Sequence, residues 1–489
     1  MKSQGVAQKP TELSLDPEDW ESFRDLGRRM VDDMIAFVRG VSERPSFTPV
    51  PEQVKSFFRA ELPRKAQGAE AVYEEFLRNV LPYAKGNIHP RFWGWVEGSG
   101  TPIGMLASLL SGAMNSNVAF GDQSAVYMEL QVLDWFKEML GFPQAASGLL
   151  LSGGSMANLV GLAAARDSRG DPSIPGKGVD PARRALRMYA SAETHNSVDR
   201  AVKLLGLGRE GLVRIPTGED YRIDLSALRA AIARDREAGR TPFCLVANAG
   251  TVNTGAIDPI SDMAELAAAE GLWLHVDAAI GFMAALLPEF EAALAPASRA
   301  DSIAFDLHKW MYAQYETGCL LVREPAALEA SFKHGADYLV SHERGVSAGP
   351  VAFADRGPEL SRGFRALKVW MQLKEAGLER HAALVAQNVD QARYLASLVG
   401  DAENLELMAP PSLNIVCFRY NPGTLDAEAL NSVNREILMR LQERGIATPS
   451  YTMLRGAYVI RVAITNHRSV NTDFELLASE VERLGRELA

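Results

Sequence analysis

Two short stretches carry the residue types that can do chemistry. In Asp301-Ser302-Ile303-Ala304-Phe305-Asp306-Leu307-His308-Lys309-Trp310, a short apolar strand runs into a turn holding a His-Lys pair. About 30 residues upstream, the length of one strand-helix unit, stands Leu272-Trp273-Leu274-His275-Val276-Asp277-Ala278-Ala279, an apolar strand that ends on a carboxylate. Open α/β sheets place their ligand chemistry beyond the ends of such strands. A lysine desolvated there can lose its proton and act as a nucleophilic amine. The carboxylate of Asp277 can hold a protonated nitrogen of a bound group.

Other segments must position these two. Leu149-Leu150-Leu151 enters the turn Ser152-Gly153-Gly154-Ser155, and a helix follows through Leu162. Glycines let a backbone approach an anion, and a helix start offers free N–H groups and the positive end of its dipole. The turn therefore reads either as a phosphate cup, with the Ser155 hydroxyl added, or as a serine cap after a glycine turn. Arg187 to Ser191 reads as a strand that delivers His195 at the start of the next helix. Phe243 to Ala247 is a further strand, ending near Thr251. Gly318 to Val322 is another. Strands alternating with helices predict a parallel or mixed sheet covered on both faces. Gly206-Leu207-Gly208-Arg209-Glu210-Gly211 fits the spacing of dinucleotide sites but follows a helix and precedes a strand, the reverse of the required context, and reads as a loop.

A strand-borne lysine and a strand-borne aspartate are what pyridoxal 5'-phosphate (PLP) needs: the lysine forms a Schiff base, and the carboxylate keeps the pyridine nitrogen protonated so that the ring accepts electrons. Taken as a spaced pair, His275-Val276-Asp277-Ala278-Ala279 and His308-Lys309-Trp310 resemble the group II PLP-dependent amino-acid decarboxylases, and the resemblance runs from about His89 to the C-terminus. It implies fold type I: a mostly parallel central sheet with helices on both faces, plus a small C-terminal α/β domain. The implied boundaries are an N-terminal helical arm over 1–85 that wraps a partner subunit in a homodimer, a large PLP-binding domain over 86–375, and a small domain over 376–489. The implied activity is decarboxylation of an L-amino acid, aromatic in preference, to the amine and CO2. The alternatives are an aldehyde synthase that couples decarboxylation to oxidative deamination, transamination, and a catalytically inactive PLP-fold binding protein. By the same resemblance, Lys309 carries PLP, Asp277 holds its ring nitrogen, His195 and Ala279 flank its ring, and Gly154, Ser155 and His308 hold its phosphate, with Asp306 a further cofactor-binding residue and Thr251 at a strand end that borders the cofactor.

The substrate side-chain pocket of the family maps onto Trp95-Val96-Glu97-Gly98, where this chain departs from the aromatic-Pro-Thr pattern of the aromatic decarboxylases. Phe92, Trp93 and Trp95 suit either a pocket-lining loop or a core. The family's mobile-loop tyrosine, a proton donor, maps near Phe353, a ring that cannot donate. Three outcomes follow: Tyr338 is the donor, His195 is the donor, or protonation is slow and oxygen diverts the reaction to an aldehyde, ammonia and peroxide. Arg461, mid-strand, reads as a snorkelling surface arginine or as a carboxylate binder.

The rest of the chain sets bounds. Its 489 residues suit two or three domains. A net charge of −10 gives no electrostatic support for nucleic-acid or anionic-membrane binding. No run reaches the ~18 apolar residues of a membrane helix. Cys244, Cys319 and Cys417 are far apart, which reads as buried thiols in a reducing cytoplasm, with neither a disulfide framework nor a metal site. Asp16-Pro17 reads as the start of the first helix, whose apolar face is Trp20, Phe23, Leu26, Met30, Met34 and Phe37.

Overall fold

A computed structural model describes residues 13–179, 185–333, 335 and 342–489. They fall into two units: residues up to Arg44 together with Thr48–Ala84, and Pro45–Phe47 together with Lys85–Ala489.

In the first unit, the helix Trp20–Arg39 is capped by Asp19, whose Oδ1 accepts the N–H groups of Glu21 at 3.0 Å and Ser22 at 3.1 Å. The cap therefore stands three residues beyond Asp16, because a carboxylate must sit two or three residues ahead of the N–H groups it satisfies. A second helix, Ala69–Asn79, is tied to the first by Arg29, which meets Glu70 at 2.6 Å and Glu74 at 3.1 Å, and by Tyr73, whose hydroxyl donates to Asp33 at 2.7 Å. Of the apolar stripe only Leu26 is buried, and Trp20, Phe23 and Ile35 on the same helix are half exposed.

The second unit holds two sheets. The short strand β1 (Phe92–Trp93) belongs to a five-stranded sheet with β9 (Leu405–Leu407), β10 (Ile415–Tyr420), β11 (Thr448–Leu454) and β12 (Ala457–Ala463), in the order β1-β11-β12-β10-β9. The seven-stranded sheet comprises β2 (Ser147–Leu151), β3 (Leu186–Ser191), β4 (Leu212–Ile215), β5 (Thr241–Asn248), β6 (Trp273–Asp277), β7 (Ser302–Asp306) and β8 (Gly318–Val322), in the order β2-β8-β7-β6-β5-β3-β4. Only β8 runs against its neighbours, β2 and β7, and the remaining pairs are parallel. Because β2 and β7 both oppose β8, they point the same way, so β2, β3, β5, β6 and β7 all end at one edge.

Every residue of β2, β3, β6, β7 and β8 is buried. Successive side chains point to opposite faces, so both faces of the sheet are covered. That explains why these strands read as continuous apolar runs rather than alternating ones. Each such aliphatic side chain contributes about 1.5–3 kcal/mol by burial. Residues 206–211 form the connection into β4, with positive φ at Gly206 and Gly208, as the loop reading expects.

Beneath the sheet edge lies a buried ion pair. Arg362 Nη2 meets Glu129 Oε1 at 2.5 Å and also donates to the Leu150 carbonyl at 2.7 Å, while Nη1 donates to the Val118 carbonyl at 2.7 Å. Glu129 Oε1 accepts the Leu150 N–H at 2.9 Å. The pair joins the helix Ser124–Met139 to β2, the strand that leads into the glycine turn. Phe353 lies under the guanidinium, 4.7 Å from its centre, and is fully buried. Removing one member of such a pair leaves the other charged and buried, at a cost of about 3–5 kcal/mol. Arg362→Ala is therefore expected to lower the thermal unfolding midpoint sharply. Glu129→Gln, which still accepts the Leu150 N–H, should lower it less. Equal, small losses in calorimetry would contradict this.

Candidate active site

The common edge of the five parallel strand ends opens into a cavity of about 560 Å³. Lys309, Asp306, His308, Asp277, Ala279, His195, Gly154 and Ser155 all line it, together with Ser152, Asn248, Tyr451 and Arg461.

Asp306, at the end of β7, connects most of these groups. Its Oδ2 meets the Lys309 ammonium at 2.7 Å, its Oδ1 accepts the Gly154 N–H at 2.5 Å, and His308 Nε2 lies 3.5 Å away. Burial alone pushes this carboxyl up, but Lys309 and His308 outweigh it and hold its pKa below the ordinary value. His308 Nδ1 accepts the Thr317 N–H at 3.2 Å, which leaves the hydrogen of the neutral ring on Nε2. Burial keeps His308 below its ordinary pKa, and its ring stacks on Tyr315 at 4.2 Å.

Close backbone approach fixes the glycines. A Cβ on Gly153 would lie 2.9 Å from His308 Cε1, and one on Gly154 2.6 Å from Asp306 Oδ2. A Cβ on Gly318 would lie 2.5 Å from Gly153 Cα. Gly98 has the same role from the opposite side. Its N–H donates to the His308 carbonyl at 3.1 Å, and a Cβ there would collide with the carbonyl oxygens of His308 and Lys309. Gly98 thus packs on the peptide that carries the lysine, while Trp95, Val96 and Glu97 line the cavity. Glu97 pairs with Lys85, which sits 4.4 Å over the Trp95 ring.

Asp277, at the end of β6, is buried and receives the Asn158 side-chain amide at 2.9 Å and the Ala279 N–H at 3.1 Å. His195 follows β3. Its Nδ1 lies 2.9 Å from the Ser197 hydroxyl and accepts the Ser197 N–H at 3.2 Å. Burial first, then the Lys309 charge, push His195 below its ordinary pKa, so it is neutral near pH 7.

Thr251, Phe353, Phe92 and Trp93 stand outside the cavity lining. Thr251 is fully buried outside the cavity lining, and its hydroxyl pairs with Thr254 at 3.1 Å and accepts the Ala256 N–H at 3.1 Å. Its loop doubles back on itself, which strand spacing does not reveal. Phe353 is part of the core under Arg362 and does not line the cavity of its own chain. Tyr338 lies outside the described residues. Phe92 and Trp93 belong to the core, with Trp93 stacked on Phe474 at 4.8 Å and donating to Ser469 at 3.0 Å. Arg461 is neither at the surface nor free to grip a carboxylate. Its guanidinium donates to the carbonyls of Asn253 (2.9 Å), Trp95 and Val252, and burial pushes its pKa down to about 10. It clamps the cavity wall. Sequence reasoning passed over Asn158, although a polar residue on the buried side of an otherwise apolar helix is a legible signal.

The donor set fits PLP. The start of the helix Gly154–Ala165, the hydroxyls of Ser152 and Ser155, and His308 Nε2 suit a phosphate. The cradle at Gly153 and Gly154 has no room for a Cβ. A lysine amine suits an aldehyde, and a buried carboxylate suits a pyridinium.

Comparison with known proteins agrees. The profile of the pyridoxal-dependent decarboxylase conserved domain matches residues 51–421. An aromatic-L-amino-acid decarboxylase from Bacillus atrophaeus is 33% identical over 473 residues, covering 96% of each chain. The crystal structure of Oryza sativa TDC with PLP and tryptamine superposes with a TM-score of 0.89 at 27% identity, covering 97% of this chain and 99% of the other. That of Rhodiola rosea 4-hydroxyphenylacetaldehyde synthase gives 0.86 at 25% identity, covering 97% and 100%. With the fold-type-I sheet, the lysine and aspartate at neighbouring strand ends and the glycine cradle all in place, this chain belongs to the pyridoxal-dependent decarboxylase family and is a PLP-dependent decarboxylase.

Proposed function

We propose that the enzyme removes the carboxylate of an aromatic L-amino acid and releases the amine. The observation that carries this reading is the convergence of Lys309, Asp277 and the Gly153-Gly154 turn on one cavity. The aromatic preference rests on the relatives, among them the Bacillus atrophaeus enzyme, and on a wall that includes Trp95, Tyr451, Ile280 and Met156.

In this reading Lys309 is the amine that bonds the cofactor aldehyde. Gly154, Ser155 and His308 hold its phosphate, Asp306 holds Lys309 and the Gly154 N–H in place beside it, and Ala279 and His195 flank its ring. When bound, PLP supplies the electron sink for the pair left behind by CO2. Asp277 keeps that sink effective by holding a proton on the ring nitrogen, a buried charge-assisted bond. Val96 and Ile280 add apolar surface to the wall, which strengthens these charge interactions by displacing water from beside them. Ser197 donates to His195 Nδ1, so the imidazole carries its hydrogen on Nε2 and can deliver that proton to the carbon that has lost CO2.

We also infer a homodimer with residues 1–85 as an arm on the partner, ahead of a large domain (86–375) and a small one (376–489). The support is apolar surface without cover in the described chain: Trp20 and Phe23 on the first helix, and Leu109, Leu110 and Met114 on Pro102–Met114. The three cysteines are free and buried, which fits the cytoplasm. Among the described residues no helix is long and apolar enough to cross a membrane.

Three experiments test this. Each common amino acid is offered under air, with CO2, amine, aldehyde and peroxide measured. An aromatic amine without peroxide is expected, and aldehyde with peroxide would refute the amine reading. Asp277→Asn should lower the rate by more than about a hundredfold, each ~1.4 kcal/mol of lost transition-state stabilisation being tenfold; near-full activity would refute its role. Light scattering at micromolar concentration should return twice the chain mass, and a monomeric mass would contradict the dimer.

A further inference from the structure

Behind Asp277 runs a chain of buried side chains that touches no part of the cavity. Trp273 Nε1 lies 2.8 Å from the Ser302 hydroxyl, which lies 2.7 Å from His275 Nδ1. His275 Nε2 lies 2.9 Å from Asn158 Oδ1. Asn158 Nδ2 then reaches Asp277 Oδ2 at 2.9 Å and the Ser197 hydroxyl at 3.0 Å. Asn158, His275, Ser302, Trp273 and Ser197 are all buried, and Gly161 makes room for the imidazole: a Cβ there would lie 2.9 Å from His275 Cε1.

The two ends fix the sense of every bond. An indole N–H can only donate, and an ionised carboxylate can only accept. Asn158 must therefore turn its NH2 toward Asp277 and its oxygen toward His275. His275 then carries its hydrogen on Nε2 and accepts the Ser302 hydroxyl at Nδ1, while Ser302 accepts the indole N–H. Burial pushes the His275 pKa down to about 4, so the ring stays neutral and the pattern holds at working pH. The second N–H of Asn158 enters the Ser197 oxygen, which turns the Ser197 hydrogen onto His195 Nδ1.

We propose that Asn158 is a positioning residue that sets both walls of the cofactor site at once. One amide group orients the Asp277 carboxylate, and the same group, through Ser197, fixes which nitrogen of His195 carries the hydrogen. His275, Ser302 and Trp273 hold the amide in the one orientation that serves both. Asn158 and His275 touch neither substrate nor cofactor; they act through Asp277 and His195. The inference rests on the assignment of Asp277 to the cofactor ring nitrogen.

The test uses holoenzyme and two readouts besides turnover: the rate of PLP release on dilution, and the pH dependence of the bound cofactor's absorbance. Asn158→Leu keeps the side-chain volume and removes the donor. Hydrogen bonds to charged groups are among the strong ones, so PLP release should quicken by about tenfold or more. With the carboxylate no longer held by the amide, the pH dependence of the bound cofactor's absorbance should shift in the direction in which Asp277→Asn shifts it. Ser302→Ala, at the far end of the chain, should move both readouts in the same direction by less. Asp277→Asn is the reference. If it changes neither readout, the Asp277 assignment fails. If it changes both while Asn158→Leu changes neither, that assignment stands and the positioning role of Asn158 is overturned. Should Asn158→Leu not fold, Ser302→Ala decides: a shift in the same direction supports the proposal, and unchanged release and profile overturn it.

Discussion

The site depends on one buried carboxylate. Asp306 faces the Lys309 ammonium with one oxygen and the Gly154 N–H with the other, and so ties the lysine to the glycine turn. An unpaired carboxylate so deeply buried would be costly, and its neighbours remove that cost by charge and hydrogen bonding. The requirement spreads outward. Gly153, Gly154 and Gly318 must be glycines because β2, β7 and β8 bring their backbones together around this group. Gly98 must be one because its segment packs on the carbonyls of His308 and Lys309.

From there the architecture is a division of labour between strand ends. In the proposed reading β7 provides the amine, β6 the carboxylate for the ring, β3 the imidazole and β2 the phosphate cradle. All four point the same way because β8 alone is reversed. The strands are buried on both faces, so they make a rigid frame and leave adaptation to the loops. The polar groups that must lie inside this frame are paired in chains. The Arg362–Glu129 pair braces β2, and the run from Trp273 to Asn158 braces β6.

Much of this was legible in the residues. Lys309, Asp277 and His195 each follow an apolar run, and a strand that ends in a polar group announces where that group will sit. The glycine pair before a helix marked a close backbone approach, and left open whether it served as a cup or a cap. What stayed hidden depends on direction rather than spacing. Thr251 stands at a strand end like the others, but its loop turns its hydroxyl inward to Thr254. Phe353 sits in a segment that looks like a loop, yet the buried Arg362 draws it into the core. Arg461 reads as a snorkelling surface arginine or a carboxylate binder, and its partners turn out to be backbone carbonyls, which no sequence displays. Asn158 was visible only as a polar residue in an apolar helix, and its importance comes from residues more than a hundred positions away.

One measurement bears most directly on the account: which lysine carries the cofactor. Lys368 is the serious competitor. It is buried close by, donates to the carbonyls of Tyr315 at 3.0 Å and Glu316 at 3.4 Å, and burial, then the Arg365 charge, push its pKa down to about 8, which makes it the more easily deprotonated kind of amine. Geometry favours Lys309, which lines the cavity beside Asp306 and the glycine cradle, whereas Lys368 is turned to backbone carbonyls. Borohydride reduction of the holoenzyme followed by peptide mapping should place the pyridoxyl group on Lys309. A pyridoxyl group on Lys368, or on any other lysine, would contradict the account.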